Sequence, residues 1–384
     1  MFRLKGMHRI HSGTQVAALL LFGSVSMSMG AQIGVNYDFN LCWPNPCVGQ
    51  WKSLANNVKD NAGSPAVAPC VIDNTLLAVY RDSSGWMRYQ QTWDGMTWNG
   101  PNAMGRQFLS DPAASTWGIS STAVAGIGMD GHMYLTRFLD GQFVGWQDLG
   151  GYFGPAQSGS YFRPVVVDAS SWFRGSLETK LYVFGMEGST GCLWVNVAKD
   201  GYFGGWKPLR CGCARDGNSS LGQNRFAAFE RSGEIHVFVR MQDSSLGHLT
   251  GGDSGWAFES CGGVISSGPG AAGSSNGYAA TAYVVDGVGK NLWVWERTRA
   301  KTGWTMLDAG KLDPPSIGST GDYLKVFAHR ALGGVNQYYS DGLTPWTAGW
   351  TLEMPAVRST SEPAVYLSDD VPQPLYRGVF LTFQ

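Results

Sequence analysis

Five aromatic residues have polar neighbours placed to work with them. Trp86 is followed two positions on by Arg88, Trp194 by Asn196, and Tyr338 is preceded by Asn336; Tyr134 and Trp293 have Arg137 and Arg297 further along. Residues two apart on a strand share a face, so Trp86 and Arg88 can act together. An aromatic ring packs against the C–H face of a sugar while a guanidinium or amide hydrogen-bonds its hydroxyls. The same rings would equally serve as a packed layer between sheets, with the polar residues left in water.

Catalytic chemistry is harder to assemble. Beyond the first 30 residues there are four histidines, His132, His236, His248 and His329. His236 and His248 lie twelve residues apart with no acidic partner in a recognised arrangement. No G-x-S-x-G, H-E-x-x-H or phosphate-cradling loop occurs. Asp130, Glu187, Asp243 and Glu296 fall near expected turns, where carboxylates commonly cap backbone N–H groups. Glycoside hydrolysis needs two carboxylates set across the scissile bond, and no pair is identifiable from spacing. No catalytic residue, metal or cofactor is expected.

These positions belong to a repeat. A Trp, usually after Gly, recurs at 51, 98, 146, 206, 256, 304 and 350, with gaps of 47, 48, 60, 50, 48 and 46 residues. One four-stranded propeller blade takes about 40–50 residues. Each period carries an apolar second strand (Leu76–Tyr80, Leu181–Phe184, Ile235–Val239, Leu324–Phe327) and a third strand holding the aromatics above. A tight Asp-Gly hairpin at 94–95, 140–141, 200–201 or 341–342 then leads back to the Trp strand. Asp-Gly suits such a turn because both residues accept positive φ. The expected fold is all-β: a seven-bladed propeller of four-stranded antiparallel blades. Its last blade would be closed by segments 31–51 and 362–384, which removes the exposed edges of an open ring. The long gap between Trp146 and Trp206 places an insertion at Ser170–Glu178. A repeat position filled seven times by Trp is expected to pack between blades.

Composition agrees with this architecture. The chain of 384 residues is 13% aromatic and only 15% charged, with 53 Gly, which suits many short strands and tight turns and excludes disorder. Residues 1–30 read as a secretory signal peptide: Arg3, Lys5 and Arg9, then the short apolar run Val16–Phe22, then small residues. Its removal leaves residues 31–384 as one domain and moves the formal charge from −1 to −4. A weakly acidic chain without basic runs argues against nucleic acid as partner, and no later stretch is long and apolar enough to span a membrane. The expected location is extracellular or periplasmic.

Export permits disulfides. Cys42 and Cys47 enclose a short Pro-rich loop that a bridge could close, and Cys192, Cys211, Cys213 and Cys261 are expected to supply a second. With seven cysteines at least one thiol stays free, and Cys70 is the choice. Cys211-Gly-Cys213 is C-x-C rather than paired C-x-x-C, so no zinc site is expected there.

The unit Leu-Trp/Tyr, Asp-Gly, Gly-Trp-x-x-Leu-Gly-Gly, Pro, best matched by Gly131–Gly151 with Pro155, resembles the repeat of PLL-type bacterial lectins. The likeness extends in pattern over residues 51–350. It departs at Trp256, followed by Ala-Phe-Glu-Ser, and at Trp350, followed by Thr-Leu-Glu-Met. It implies a seven-bladed propeller that binds fucosylated or O-methylated sugars between neighbouring blades, making Trp86, Arg88, Tyr134, Trp194, Asn196, Trp293, Arg297 and Tyr338 the candidate ligand residues. The expected function is that of a secreted, multivalent carbohydrate-binding propeller. A polysaccharide-active glycosidase or lyase and a non-catalytic protein-interaction propeller are the alternatives.

Overall fold

The apolar and β-branched runs form antiparallel ladders in the computed structural model. It describes residues 31–37, 51–58, 65–70, 75–93, 97–118, 121–139, 142–173, 176–215, 226–273, 281–285, 291–297, 302–309, 315–320, 323–329, 335–340, 346–352, 364–366 and 378–383. Among the described residues every regular element is a strand, and no helix is long and apolar enough to cross a membrane.

Four consecutive strands make each typical sheet, first strand innermost. The 66–107 blade contains Ala66–Cys70, Thr75–Arg81, Trp86–Thr92 and Asn99–Gln107. The 113–148 blade contains Ala113–Thr116, Ser121–Ile127, Met133–Leu139 and Gln142–Asp148. Val165–Asp168, Lys180–Glu187, Cys192–Lys199 and Tyr202–Arg210 form the next. Phe226–Arg231, Glu234–Arg240, Leu246–Gly252 and Gly255–Gly262 follow. The same order holds in Gly270–Ala272, Thr281–Val285, Leu292–Arg297 and Thr302–Asp308, and in Ser316–Thr320, Tyr323–His329, Val335–Ser340 and Thr347–Leu352. One sheet draws on both ends of the chain, in the order Trp51–Val58, Ala31–Tyr37, Gly378–Phe383, Ala364–Tyr366. First strands of successive blades lie side by side around the centre. The fold is an all-β propeller.

The segment between Trp146 and Trp206 that exceeds the repeat period is a small hairpin, Ser171–Phe173 paired with Ser176–Glu178, inserted between two strands of the 165–210 blade. At the next hairpin of that blade, Asp200 (φ 48°) and Gly201 (φ 87°) both take the left-handed conformation that the Asp-Gly pair allows.

The core lies between blades. Met87, Met104 and Phe108 of one blade interlock with Val124, Tyr134 and Phe138 of the next. Ile127, Met133 and Leu135 meet Val166, Leu181 and Val183 in the same way, and Phe184 and Val195 meet Phe226, Ile235 and Val237. Blade-to-blade packing thus replaces a central core, and the second strands Thr75–Arg81, Ser121–Ile127, Lys180–Glu187 and Glu234–Arg240 are buried along nearly their whole length.

The repeat Trp joins neighbouring blades through its indole. Trp146 Nε1 donates to the Met104 carbonyl of the preceding blade (2.7 Å), Trp206 to that of Leu149 (2.9 Å) and Trp304 to that of Cys261 (2.9 Å). Trp256 packs edge-on to Phe184 of the preceding blade. The side chains of Trp51 and Trp350 lie outside the described residues. The glycines after the motif explain its ending. Gly151 (φ +74°) and Gly263 (φ +80°) lie beneath the next blade's Trp, where a Cβ would come within 2.9 Å of Trp206 and 2.8 Å of Trp304.

Candidate functional site

The third strand of each blade has one face toward the preceding blade, and most of the sequence candidates lie on that face. Tyr134 packs with Phe108 of the preceding blade. Trp194 joins the 113–148 blade's cluster, and Trp293 packs with Phe238 and Leu246. The Tyr338 hydroxyl reaches Asp308. Arg137 points the other way, its guanidinium 4.2 Å from the Trp117 ring centroid.

Their access to solvent differs. Trp86 is 38% exposed, and Arg88 beside it is half-buried, its Nε donating to Asp82 (2.9 Å). Trp194, Trp293 and Arg297 are half-buried at the blade edges. Tyr134, Asn196 and Tyr338 are buried, because the strand carries them inward between two packed sheets; they contact the interface and not the surface. Within that layer the Asn196 Oδ1 atom has no hydrogen-bond partner.

Charged groups collect where the blades meet solvent. Between the 66–107 and 113–148 blades, Arg106 sits over the Tyr134 ring (3.4 Å to the centroid) and donates to Asp130 (3.1 Å). The Tyr134 hydroxyl lies 2.7 Å from Asp130 and 3.2 Å from Asp148, and His132 Nδ1 lies 3.1 Å from Asp148. Burial and the bond to Asp130 push the Tyr134 phenol up to about 12. Asp130 and Asp148 are both lowered despite partial burial, by hydrogen bonds from Tyr134, His132 and backbone N–H groups. The spacing of the sequence does not single out Arg106, whose partner Asp130 lies 24 residues on in another blade.

Related groupings occur at other junctions. Arg210 lies over the Phe258 ring of the next blade, 3.8 Å from its centroid. Asn336 donates to Asp308 across another interface (3.4 Å), beside the Tyr338 hydroxyl. Arg297 donates to both carboxylate oxygens of Glu259 in the preceding blade, with Trp295 beneath it.

This last interface also holds the histidine pair, for which sequence offers no acidic partner. Glu259 supplies one: His248 Nδ1 lies 2.6 Å from its carboxylate, and His236 Nδ1 lies 3.1 Å from His248 Nε2. Glu259 stands directly opposite His248 in the ladder. Both imidazoles are held below their usual range, chiefly by burial, His236 to about 4. His248 therefore donates from Nδ1 to the carboxylate and accepts at Nε2 from His236. Cys261, two residues after Glu259 on the same face, completes a cluster in which one donor atom each from His248, Glu259 and Cys261 lie within 4.8 Å of one another.

The bridge expected among Cys192, Cys211, Cys213 and Cys261 is present, and it leaves two of the four candidates free. Cys192 pairs with Cys211, because Cys192 opens the third strand and Cys211 follows the fourth, which runs antiparallel beside it. Cys213 and Cys261 are free thiols: Cys213 turns inward against Met241, and Cys261 belongs to another blade. Burial pushes both thiols up to about 12. Cys42, Cys47 and the Cys70 side chain lie outside the described residues, as does the 1–30 segment.

No family model matches the chain, and no curated protein sequence matches it. Solved structures do resemble it. BP39L lectin from Burkholderia pseudomallei superposes with a TM-score of 0.59 at 18% identity, over 80% of this chain and 89% of that one. The Aleuria aurantia lectin, as an N224Q mutant in complex with Fucα1-6GlcNAc, gives a TM-score of 0.48 at 17% identity, over 77% of this chain and 97% of that one. At these identities the likeness to BP39L establishes the fold: this chain is built as a β-propeller.

Proposed function

We propose that this chain is a secreted, lectin-like propeller that binds glycans in the clefts between blades at more than one site. The observation that carries this reading is a guanidinium lying over a ring at three blade junctions, Arg106–Tyr134, Arg210–Phe258 and Arg297–Trp295, with a carboxylate beside it at two of them, Asp130 and Glu259. A sugar needs an apolar face to lie on and fixed charged groups to hydrogen-bond its hydroxyls. Trp86, Arg88, Trp194, Trp293 and Arg297 contact the sugar in this reading, while buried Tyr134, Asn196 and Tyr338 hold the cleft floor. Resemblance to the PLL-type repeat favours fucosylated or O-methylated sugars, and BP39L, which shares this fold, is a lectin.

Seven blades are part of this proposal. In support, the mixed sheet joins Ala31–Tyr37 to Gly378–Phe383, and Ala364–Tyr366 touches the first strands of the blades on both sides, Ser316–Thr320 and Ala66–Cys70. Domain limits of 31–384, after removal of residues 1–30, belong to the same proposal.

Asp130 and Asp148 share the Tyr134 phenol and are close enough to be considered as a glycosidase pair. Both are held ionised, whereas hydrolysis requires one to carry a proton to the leaving oxygen. Their setting favours accepting hydrogen bonds from a bound sugar. A glycan array with residues 31–384, including fucosylated and O-methylated sugars, tests the reading. Specific binding weakened by Trp86→Ala or Arg106→Ala supports it; a blank array overturns it and favours a protein-interaction propeller.

A further inference from the structure

Where the 226–262 blade meets the 270–308 blade, three ligating side chains of different chemistry converge on one point. His248 comes from the third strand, fully buried, and Glu259 and Cys261 from the fourth, side by side on one face. We propose that His248 Nδ1, a Glu259 carboxylate oxygen and the Cys261 thiolate bind one Zn²⁺, leaving its fourth position open. The inference goes beyond the glycan reading and does not depend on it; it shares Glu259 with one of the proposed sugar junctions, so glycan binding is read at the others.

The donor set selects the metal. Imidazole, carboxylate and thiolate together suit a borderline-soft divalent cation, whereas Ca²⁺ and Mg²⁺ require oxygen shells. Zinc bonds of about 2.0–2.3 Å place tetrahedral donors roughly 3.3–3.7 Å apart. Donor atoms already within 4.8 Å of one another reach that arrangement by small side-chain shifts.

The surroundings are those of a supported metal site. Metal-bound histidine almost always donates its second ring N–H to a fixed partner, which orients the ring and raises its basicity. Here His248 Nε2 faces His236 Nδ1 at 3.1 Å, and His236 Nε2 in turn faces the Glu234 carboxylate at 3.7 Å. His248 is clamped parallel to Phe238, with ring centroids 4.2 Å apart. Arg297 bonds Glu259 and orients the carboxylate, whose remaining lone pairs can face the metal.

Proton bookkeeping closes with one proton released. In the metal-free protein His248 holds its proton on Nδ1, His236 on Nδ1 and Cys261 on sulfur. On binding, both imidazoles shift to the Nε2–H tautomer, so that His248 donates to His236 and His236 turns its N–H toward Glu234. The thiol loses its proton to solvent, and the Zn–S, Zn–N and Zn–O bonds form without change of oxidation state.

The test uses the full chain stripped with chelator, then titrated with Zn²⁺ alone and, separately, with Co²⁺ as a spectroscopic substitute. One equivalent of Zn²⁺ should bind, and Co²⁺ should give a thiolate-to-metal charge-transfer band that Zn²⁺ displaces. Cys261→Ser should abolish the band. His236→Phe, which keeps the stacking on Phe229 but removes the hydrogen bond, should weaken Zn²⁺ binding about 10–100-fold with the band retained. Absence of the band from wild-type protein, or equal Zn²⁺ affinity in wild type and Cys261→Ser, overturns the proposal. Glycan binding at the Trp86 and Arg106 clefts is read in parallel and fails or survives separately.

Discussion

Gly150 and Gly151 end the Trp-x-x-Leu-Gly-Gly unit, and replacing each by alanine separates two reasons for paired glycines within one repeat. Gly150 has φ +64° and nothing within 4 Å of an added Cβ. Left-handed backbone costs an L-residue roughly 1–2 kcal/mol, partly offset by lower entropy in the unfolded chain, so Gly150→Ala should cost about 1 kcal/mol. Gly151 carries the same backbone cost at φ +74°, but its Cβ would lie 2.9 Å from both Trp206 Nε1 and the Phe153 ring. Neither can yield freely: Phe153 is buried and edge-on to Trp206, and Trp206 is tied to the Leu149 carbonyl. Overpacking of about 1–3 kcal/mol and a lost hydrogen bond of about 1 kcal/mol bring Gly151→Ala to roughly 3–5 kcal/mol. Equilibrium urea unfolding of the two variants side by side measures the difference. Gly262→Ala, with no atom in reach, and Gly263→Ala, facing Trp304 at 2.8 Å, repeat the comparison at another junction. Equal destabilisation of the two members of each pair would refute the role assigned to the repeat Trp.

Other consequences follow from the same interfaces. Arg81 and Asp111 form a buried ion pair that ties the 66–107 blade to the segment entering the next (3.1 Å); Asp111→Ala leaves the buried guanidinium its bonds to the Phe108 and Leu109 carbonyls but no counter-charge, and should cost about 3 kcal/mol in thermal or urea unfolding. Replacing Cys192 and Cys211 together by serine opens a 19-residue loop and should cost about 2–4 kcal/mol, and thiol titration of the folded variant should detect no new reactive group. Arg106→Ala uncovers the Tyr134 ring and removes a cation from Asp130; being half-exposed, it should change stability by less than about 1 kcal/mol while weakening glycan binding.

The propeller was legible in the sequence because its determinants are local and recurrent. Trp spacing, the Asp200-Gly201 hairpin and β-rich second strands each act within one period, and even the hairpin insertion between Trp146 and Trp206 announces itself as excess length; the expected turns at 94–95, 140–141 and 341–342 lie outside the described residues. Candidate site residues were legible only as members of a strand face. Alternation placed Trp86 with Arg88 and Trp293 with Arg297, but the burial of Tyr134 and Tyr338 depends on how tightly the preceding blade packs. The partners of the charged groups were not legible, since Arg106–Asp130 and Glu259–Arg297 join residues 24 and 38 apart on different blades. Glu259 escaped notice beside His248 because the two sit opposite each other across a strand pair, a relation set by register and not by separation. Disulfide choice among Cys192, Cys211, Cys213 and Cys261 was likewise decided by which strands run together.

In the proposed reading, solvent-facing residues at the blade junctions hold sugar. Isothermal titration of residues 31–384 with methyl α-L-fucoside and an O-methylated monosaccharide, in wild type and Trp86→Ala, tests it directly. Trp86 is exposed, so the variant should unfold like wild type. Saturable binding of at least one of the two sugars is expected, with more than one site per chain, and loss of part of that stoichiometry or affinity in Trp86→Ala. No heat of binding for either sugar in wild type, or binding unchanged by Trp86→Ala and by Arg106→Ala alike, would contradict it.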